Sequence, residues 1–328
     1  MSLLVRMIKN LVLLGVSVII SLLIAEVIVR NFVVVRNVGP TLTQYDPYFG
    51  KTHKTNFSGT RVGPDFKMDF NLNSDGFRGP ELEQTVSNTI LFLGDSFTFG
   101  YGVNDSEAFP ALVQTELGED VQVINAGMGN NANGRWIRFL KKRAYEYDPK
   151  YVVLQIHYND YWGNFMEGFY SVSSADELLE KLPPPKSKAR KLQSMIDRLR
   201  IFDNSYLMGF AMQVAFPVGA LESESAKDNY LVKKDRQNEL LLRLFNETLE
   251  LCDQQGREVI ALLLVGVDGQ RYDDLHAITK ARDIPIIQVP DKKQRPDLYF
   301  EIDGHWNAAG HQVASEKLLE EFRARIAN

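Results

Sequence analysis

Cysteine is almost missing from this 328-residue chain: Cys252 stands alone. No intramolecular disulfide can form, and no CxxC-type metal or redox site is present. A single cysteine on an apolar helix face is packing rather than chemistry. A basic excess is missing as well, since 37 Lys and Arg face 42 Asp and Glu for a formal charge of −5. That removes the electrostatic footprint of a nucleic-acid binder. There is no helical HExxH and no Cys/His ligand spacing, so neither metal nor cofactor is expected. The GxSxG elbow of α/β-hydrolases is absent too. With 45% hydrophobic and 24% charged residues, general disorder is excluded.

Long apolar runs are scarce, with one exception at the start. Residues 10–29, NLVLLGVSVIISLLIAEVIV, match the roughly 20 residues that cross a hydrocarbon core of about 30 Å as a helix. Arg6 and Lys9 precede it and Arg30 and Arg36 follow, which is nearly a tie by the positive-inside comparison. The expected orientation is a short cytoplasmic tail with everything after Arg30 outside. A cleaved signal peptide would have an apolar region of only about 7–15 residues and a small-x-small site. Leu23-Ile24-Ala25 is a poor one, so a retained anchor over residues 1–35 is expected. Ser17, Ser21 and Ala25 form a small-residue ridge of the kind that permits close helix approach in lipid. Glu26 and Arg30 are spaced as an (i, i+4) pair.

Residues 36–87 carry Gly39-Pro40, Asp46-Pro47, Gly63-Pro64 and Gly79-Pro80, all turn signals. They read as an irregular connector lying on the domain, with an edge strand at Phe66–Leu72. Residues 88–328 then alternate short apolar strands with amphipathic helices. Strands are expected at Ile90–Leu93, Val121–Ile124, Tyr151–Ile156, Val259–Val265 and Ile284–Val289. Helices are expected at Asp105–Leu117, Gly134–Tyr147, Glu239–Cys252 and Ala308–Arg325, the last capped by Asn307. This pattern predicts a doubly wound three-layer α/β/α fold with about five parallel strands.

Ligands bind at the carboxyl edge of such sheets. Ser96, the glycine- and asparagine-rich loop through Gly129 and Asn130, Asn159, and the pair Asp303 and His305 all follow predicted strands. A serine there serves as the nucleophile of acyl transfer when a histidine and an acid reach it. No metal cluster is expected from Asp291, Asp297, Asp303, His305 and His311. Asp160 reads as a brace for its loop. His311 is expected to face solvent, and whether His157 lines the pocket is open.

The ordered set resembles the SGNH/GDSL hydrolase family, whose fold is flavodoxin-like. Gly94-Asp95-Ser96-Phe97 stands as its first block, Asn125–Gly129 as its second, Asn159-Asp160 as its third and Asp303-x-His305 as its last. Similarity to membrane-anchored bacterial members, including O-acyl esterases, O-acetyltransferases and alginate-acetylation-like proteins, extends weakly to the anchor, to Asp46-Pro47-Tyr48-Phe49-Gly50 and to Asn73–Gly79. The resemblance implies Ser96 as nucleophile, His305 as base and Asp303 as its orienting acid. The oxyanion donors would be the Ser96 amide, Gly129 or Asn130, and Asn159. It further implies an acyl-ester substrate, glycan or lipid, met on the periplasmic side of a bacterial inner membrane. The acid lies two residues before the histidine, where many members have three. The family's oxyanion glycine usually follows the asparagine by five residues, a place held here by Asn130.

Between Asn159 and Glu239 lie about eighty residues, more than a crossover requires. Pro183-Pro184-Pro185 breaks this insertion (about 161–236), Lys186–Arg200 reads as a basic helix, and residues 205–221 carry no charge. The uncharged stretch is read as a buried lid helix, with an interfacial segment on the bilayer as the other reading. A different class of function stays open as well: a catalytically weak SGNH-domain subunit that binds a polymer or docks a membrane acyltransferase.

Overall fold

The computed structural model describes residues 3–83, 86, 88–173, 177–183, 195, 200, 202–215 and 234–326. The expected basic helix at 186–200 falls outside them apart from Met195 and Arg200, as does the stretch around Pro217.

The apolar N-terminal run forms one helix, α1 (Leu3–Phe32), exposed almost throughout and long and apolar enough to cross a membrane. The connector is more ordered than its turn signals suggest. It holds two antiparallel pairs, β1 (Thr43–Gln44) with β2 (Thr52–His53), and β3 (Phe57–Val62) with β4 (Lys67–Leu72). β4 alternates buried Met68, Phe70 and Leu72 with outward polar residues, the period-2 pattern of a half-buried strand. It pairs with β3 in a hairpin of its own and not at the edge of the main sheet.

The domain follows in strand–helix order. β5 (Asn88–Leu93) leads into a one-turn helix, α2 (Ser96–Phe99). The helix expected from Asp105 is split, with a 3₁₀ turn at Asp105–Glu107 before α3 (Phe109–Leu117). β6 (Val121–Asn125), α4 (Asn133–Lys142), the short α5 (Ala144–Tyr147), β7 (Tyr151–His157) and α6 (Asp160–Glu167) come next. The insertion contributes the hairpin β8 (Tyr170–Val172) and β9 (Leu178–Glu180) and the helix α7 (Tyr206–Ala215). α8 (Lys234–Gln254), β10 (Glu258–Val265), α9 (Gly269–Ala281), β11 (Ile286–Gln288) and α10 (Ala308–Ile326) complete the chain.

The five main strands pair in parallel in the order β11-β10-β7-β5-β6. The first strand of the set thus lies between the second and third, which makes the gap between β5 and β7 the topological switch point. Alternate residues of β5 feed different layers. Leu91 and Leu93 pack with Trp136, Leu241 and Phe245 of α4 and α8, and Ile90 and Phe92 with Phe109, Leu318 and Phe322 of α3 and α10. Both faces are covered, which is why these strands read as unbroken apolar runs. Cys252 is buried in the first layer, and burial pushes its thiol up to about 12.

Expected as a buried lid, α7 has no buried residue and packs against the C-terminal end of α1.

Candidate active site

β5 ends at Gly94 because nothing larger fits. A Cβ there would stand 2.1 Å from Thr98 Oγ1 and 2.5 Å from Gln155 Oε1. The chain turns, and Asp95 caps α2 by accepting from Phe97 N at 2.8 Å. Ser96 therefore opens α2, with its hydroxyl at the carboxyl edge of the switch point.

The last block is held as firmly. Asn307 caps α10, its Oδ1 accepting from Ala309 N at 3.0 Å and Gly310 N at 3.2 Å. Phe300 N donates to His305 O at 2.9 Å. Trp306, fully buried, sets its ring edge-on to Phe97 at 4.9 Å. His305 then projects over α2. Ser96 Oγ lies 2.7 Å from His305 Nε2, and His305 Nδ1 lies 2.5 Å from Asp303 Oδ1. The Phe97 and Tyr101 rings flank the imidazole at 4.9 and 5.1 Å. Hydroxyl, imidazole and carboxylate thus form one chain of hydrogen bonds between residues more than 200 positions apart.

The second block also reaches the serine. Gly127 is packed on α2, where a Cβ would meet Phe99 N at 2.3 Å. Gly129 faces Ser96: its Cβ would sit 4.0 Å from that of the serine. Asn130 adopts φ +51°, a left-handed conformation that asparagine tolerates better than most residues. Asn159 precedes α6 just beyond the end of β7, which is hydrogen-bonded to β5. Among the described residues, nothing accepts from the amides of Gly129 and Asn130 or from the Asn159 side chain.

Asp160 braces its loop as expected, accepting from His157 N at 2.9 Å. Burial, then the nearby Asp95, hold its carboxyl well above the usual range. His157 is buried behind α2, with Nδ1 3.3 Å from Asp95 Oδ2 and its ring 4.8 Å from Phe97. His311 does not face solvent. It is fully buried and accepts from Phe109 N at 3.3 Å, and desolvation lowers it to about 3. The first turn of α10 lies under α3, so the apolar pattern of one helix could not reveal this face.

Three connector residues to which the sequence assigns no role support the site. Asp65 accepts from Ile302 N at 2.6 Å and Asp303 N at 3.3 Å. Arg78 is buried and donates to the carbonyls of Phe99 and Gly100 at 2.9 and 2.5 Å, of Val103 at 2.6 Å, and to Asp105 Oδ1 at 2.6 Å. Lys51 Nζ donates to Gly129 O at 2.5 Å and Asn130 O at 3.0 Å. A trans peptide sets N–H opposite C=O, so drawing the Gly129 carbonyl to Lys51 turns the Asn130 N–H the other way. A cavity of about 50 Å³ between connector and α4, lined by Phe49, Lys51, Asn131, Arg135 and Trp136 among others, lies behind this loop. Among the described residues, no group of His, Cys, Asp and Glu is placed to hold a metal ion.

A family model described as the GDSL-like Lipase/Acylhydrolase family matches residues 92–313, more than half of the chain. The chain belongs to that family. Among characterised relatives, an arylesterase of Vibrio mimicus is 26% identical over 167 residues, covering 49% of this chain and 73% of that protein. A thioesterase 1/protease 1/lysophospholipase L1 of Escherichia coli is 28% identical over 75 residues, 23% of this chain. The match spans only 36% of that relative's length. Among solved structures, the psychrotrophic esterase EstA from Pseudoalteromonas sp. superposes with a TM-score of 0.43 at 16% identity, over 74% of this chain and 100% of that one. In GDSL-family terms, the first block and the last block of this chain are the two ends of the hydrogen-bond chain described above.

Proposed function

We propose that the protein is a membrane-anchored serine esterase or O-acetyltransferase acting on ester-linked acyl groups of a glycan or lipid outside the cytoplasmic membrane. The observation that carries this reading is the 2.7 Å contact between Ser96 Oγ and His305 Nε2, continued to Asp303. Ser96 attacks the ester carbonyl as its proton passes to His305 Nε2. The oxyanion is held by the Ser96 amide, that of Gly129 or Asn130, and the Asn159 side chain. His305 gives the proton to the departing alcohol as the C–O bond breaks, leaving acyl-Ser96. Water or a second hydroxyl then attacks the acyl carbon, its proton passes to His305, and Ser96 leaves with that proton. Asp303 holds the imidazole tautomer throughout and stabilises its charged form. Hydrolysis and transfer differ only in the acceptor of the second half.

Retention of α1 as an anchor draws support from its outer end, which is bonded into the domain through Glu26 and Arg30. Cleavage after Ala25 would place a chain end inside a packed helix. The accessory-subunit reading, in which the SGNH domain docks a membrane partner through Ser17, Ser21 and Ala25, has less behind it, because Ser96 Oγ and His305 Nε2 stand at hydrogen-bond distance.

The test uses purified full-length protein in mild detergent with p-nitrophenyl acetate and a fluorophosphonate probe. The expected result is ester release and a label on Ser96, both lost in Ser96→Ala. A folded protein that neither releases product nor takes the label would overturn the proposal. Adding a sugar acceptor separates the two chemistries, because a transferase diverts the acyl group from water.

A further inference from the structure

The insertion and the outer end of α1 share a joint. The Glu26 carboxylate accepts from Ser205 Oγ at 2.9 Å, Tyr206 N at 3.0 Å and Leu207 N at 2.8 Å. It thereby caps α7 from another helix, where free N–H groups and the helix dipole favour an anion. Arg30 donates to Glu26 at 2.9 Å and to Asn204 O at 3.0 Å, and its guanidinium lies 4.4 Å over the Tyr206 ring. Val29, Val35 and Val38 are buried against Tyr206, Leu207 and Phe210. Gly209 marks the closest approach, since a Cβ there would stand 2.8 Å from Asn37 O. Gln213 accepts from Arg36 N at 2.9 Å. α7 therefore runs beside the chain from the level of Glu26 to that of Arg36.

The level of Glu26 follows from helix rise. About 20 residues at 1.5 Å each cross the hydrocarbon, so a span starting at Asn10 ends near Val29. The N-terminal turn of α7 then sits about 5 Å inside that boundary. Its sequence, YLMGFAMQVA, carries no charge and has no buried residue. Phe32 (82% exposed), Val34 (61%), Phe202 (37%) and Val214 (62%) extend this apolar surface around the joint. Tyr206 stacked with Arg30 at one level is the aromatic and basic pairing of a membrane–water boundary. The surface is continuous with a helix exposed on all sides, and the charged groups at its rim, Glu26 with Arg30 and Arg200 with Asp203, are already paired with one another. Lipid is the occupant it fits.

We infer that Phe202–Ala215 is a second membrane element, crossing the outer hydrocarbon–headgroup boundary beside α1 with its N-terminal turn innermost, so that the domain is seated on the bilayer. This rests on the reading of α1 as a retained anchor. It also fixes where the site stands. Tyr101 Oη donates to Asn37 Oδ1, and the Tyr101 ring lies 5.1 Å from His305. Asn37 is five residues beyond Phe32, a reach of at most about 18 Å. His305 is thus held within roughly 30 Å of the outer end of α1.

The test is depth quenching on the full chain in lipid nanodiscs of phosphatidylethanolamine and phosphatidylglycerol, with no other protein. In a Cys252→Ala background, single cysteines replace Phe202, Met208, Val214, mid-span Leu22 and Glu316 on α10, each carrying an environment-sensitive fluorophore. The expected result is a blue shift at 202, 208 and 214, with loss of intensity to shallow-doxyl lipid. Leu22→Cys should be quenched by deep-doxyl lipid, and Glu316→Cys should stay water-like. Water-like emission at all three α7-region sites with Leu22→Cys deep would overturn the second contact and leave the anchor standing. Water-like emission at Leu22→Cys as well would remove the anchor itself. If the three sites become dry only when a native membrane extract is added, the face binds a protein and the lipid assignment fails.

Discussion

At the scale of the residue, the proposed reaction depends on two hydrogen bonds and a few amides, and each can be tested singly. Asp303→Asn keeps the volume but offers His305 the wrong partner for its tautomer. Turnover should fall about 10⁴-fold while the melting temperature holds, as steady-state kinetics beside thermal unfolding would reveal. Asn159→Ala should cost about 10²–10³ in kcat with KM little changed, the mark of an oxyanion donor. Two other histidines bear on stability. Burial lowers His53 to about 4 and His311 to about 3 from an ordinary 6.5. Below pH 6.5 the unfolded chain takes up protons that the folded chain refuses, so stability falls with pH from 6.5 down to about 3–4 and then levels off. Their contributions are on the order of 3–5 kcal/mol each. Urea titrations across that range should give a shallower acid loss for His311→Gln, and a steep loss unchanged by it would refute the assignment.

At the scale of the element, the connector belongs to the site. Lys51 follows β1 and orients the second block, Asp65 sits at the β3–β4 turn under the Asp303 loop, and Arg78 fastens the end of α2. Lys51→Met should lower kcat with little change in melting temperature, because the carbonyls it holds lie at the exposed edge. Arg78→Met should lower the melting temperature too, since it strips donors from buried carbonyls and strands Asp105, at a cost of about 1–3 kcal/mol per unsatisfied group. Lys51 and Asp65 had no signal in the sequence, and Arg78 had only the weak family resemblance of Asn73–Gly79. Their partners lie from 9 to 238 positions away, and turn residues such as Gly63-Pro64 mark where the chain bends but not what it bends toward. The strands were legible for the opposite reason. Burial on both faces leaves an apolar run with no alternation, as in Ile90–Leu93. The Asn307 cap was legible too, because its partners are two and three residues on. The connector hairpins were not, since two-residue strands such as Thr43–Gln44 carry no period.

At the scale of the whole molecule, α1 is both a candidate span and part of the packed body. A chain lacking residues 1–32 should still hydrolyse a soluble ester, because Ser96 and His305 are positioned by α2, Trp306 and α10. It should also bind detergent or self-associate, since Tyr206, Leu207 and Phe210 lose the cover of Val29 and α7 loses its Glu26 cap. Light scattering beside p-nitrophenyl acetate turnover would separate the two outcomes, and a clean, active monomer would argue against the joint.

The parallel sheet, the order of the four blocks and the apolar length at the start can be read from the residues alone, because periodicity, strand-end motifs and run length are properties of neighbouring residues. It takes the folded chain to bring Ser96 and His305 to hydrogen-bond distance, to brace them with Lys51, Asp65 and Arg78, to bury His311 and to lay α7 along α1. Each of those rests on contacts between distant segments, and the packing that creates them leaves no trace in local spacing.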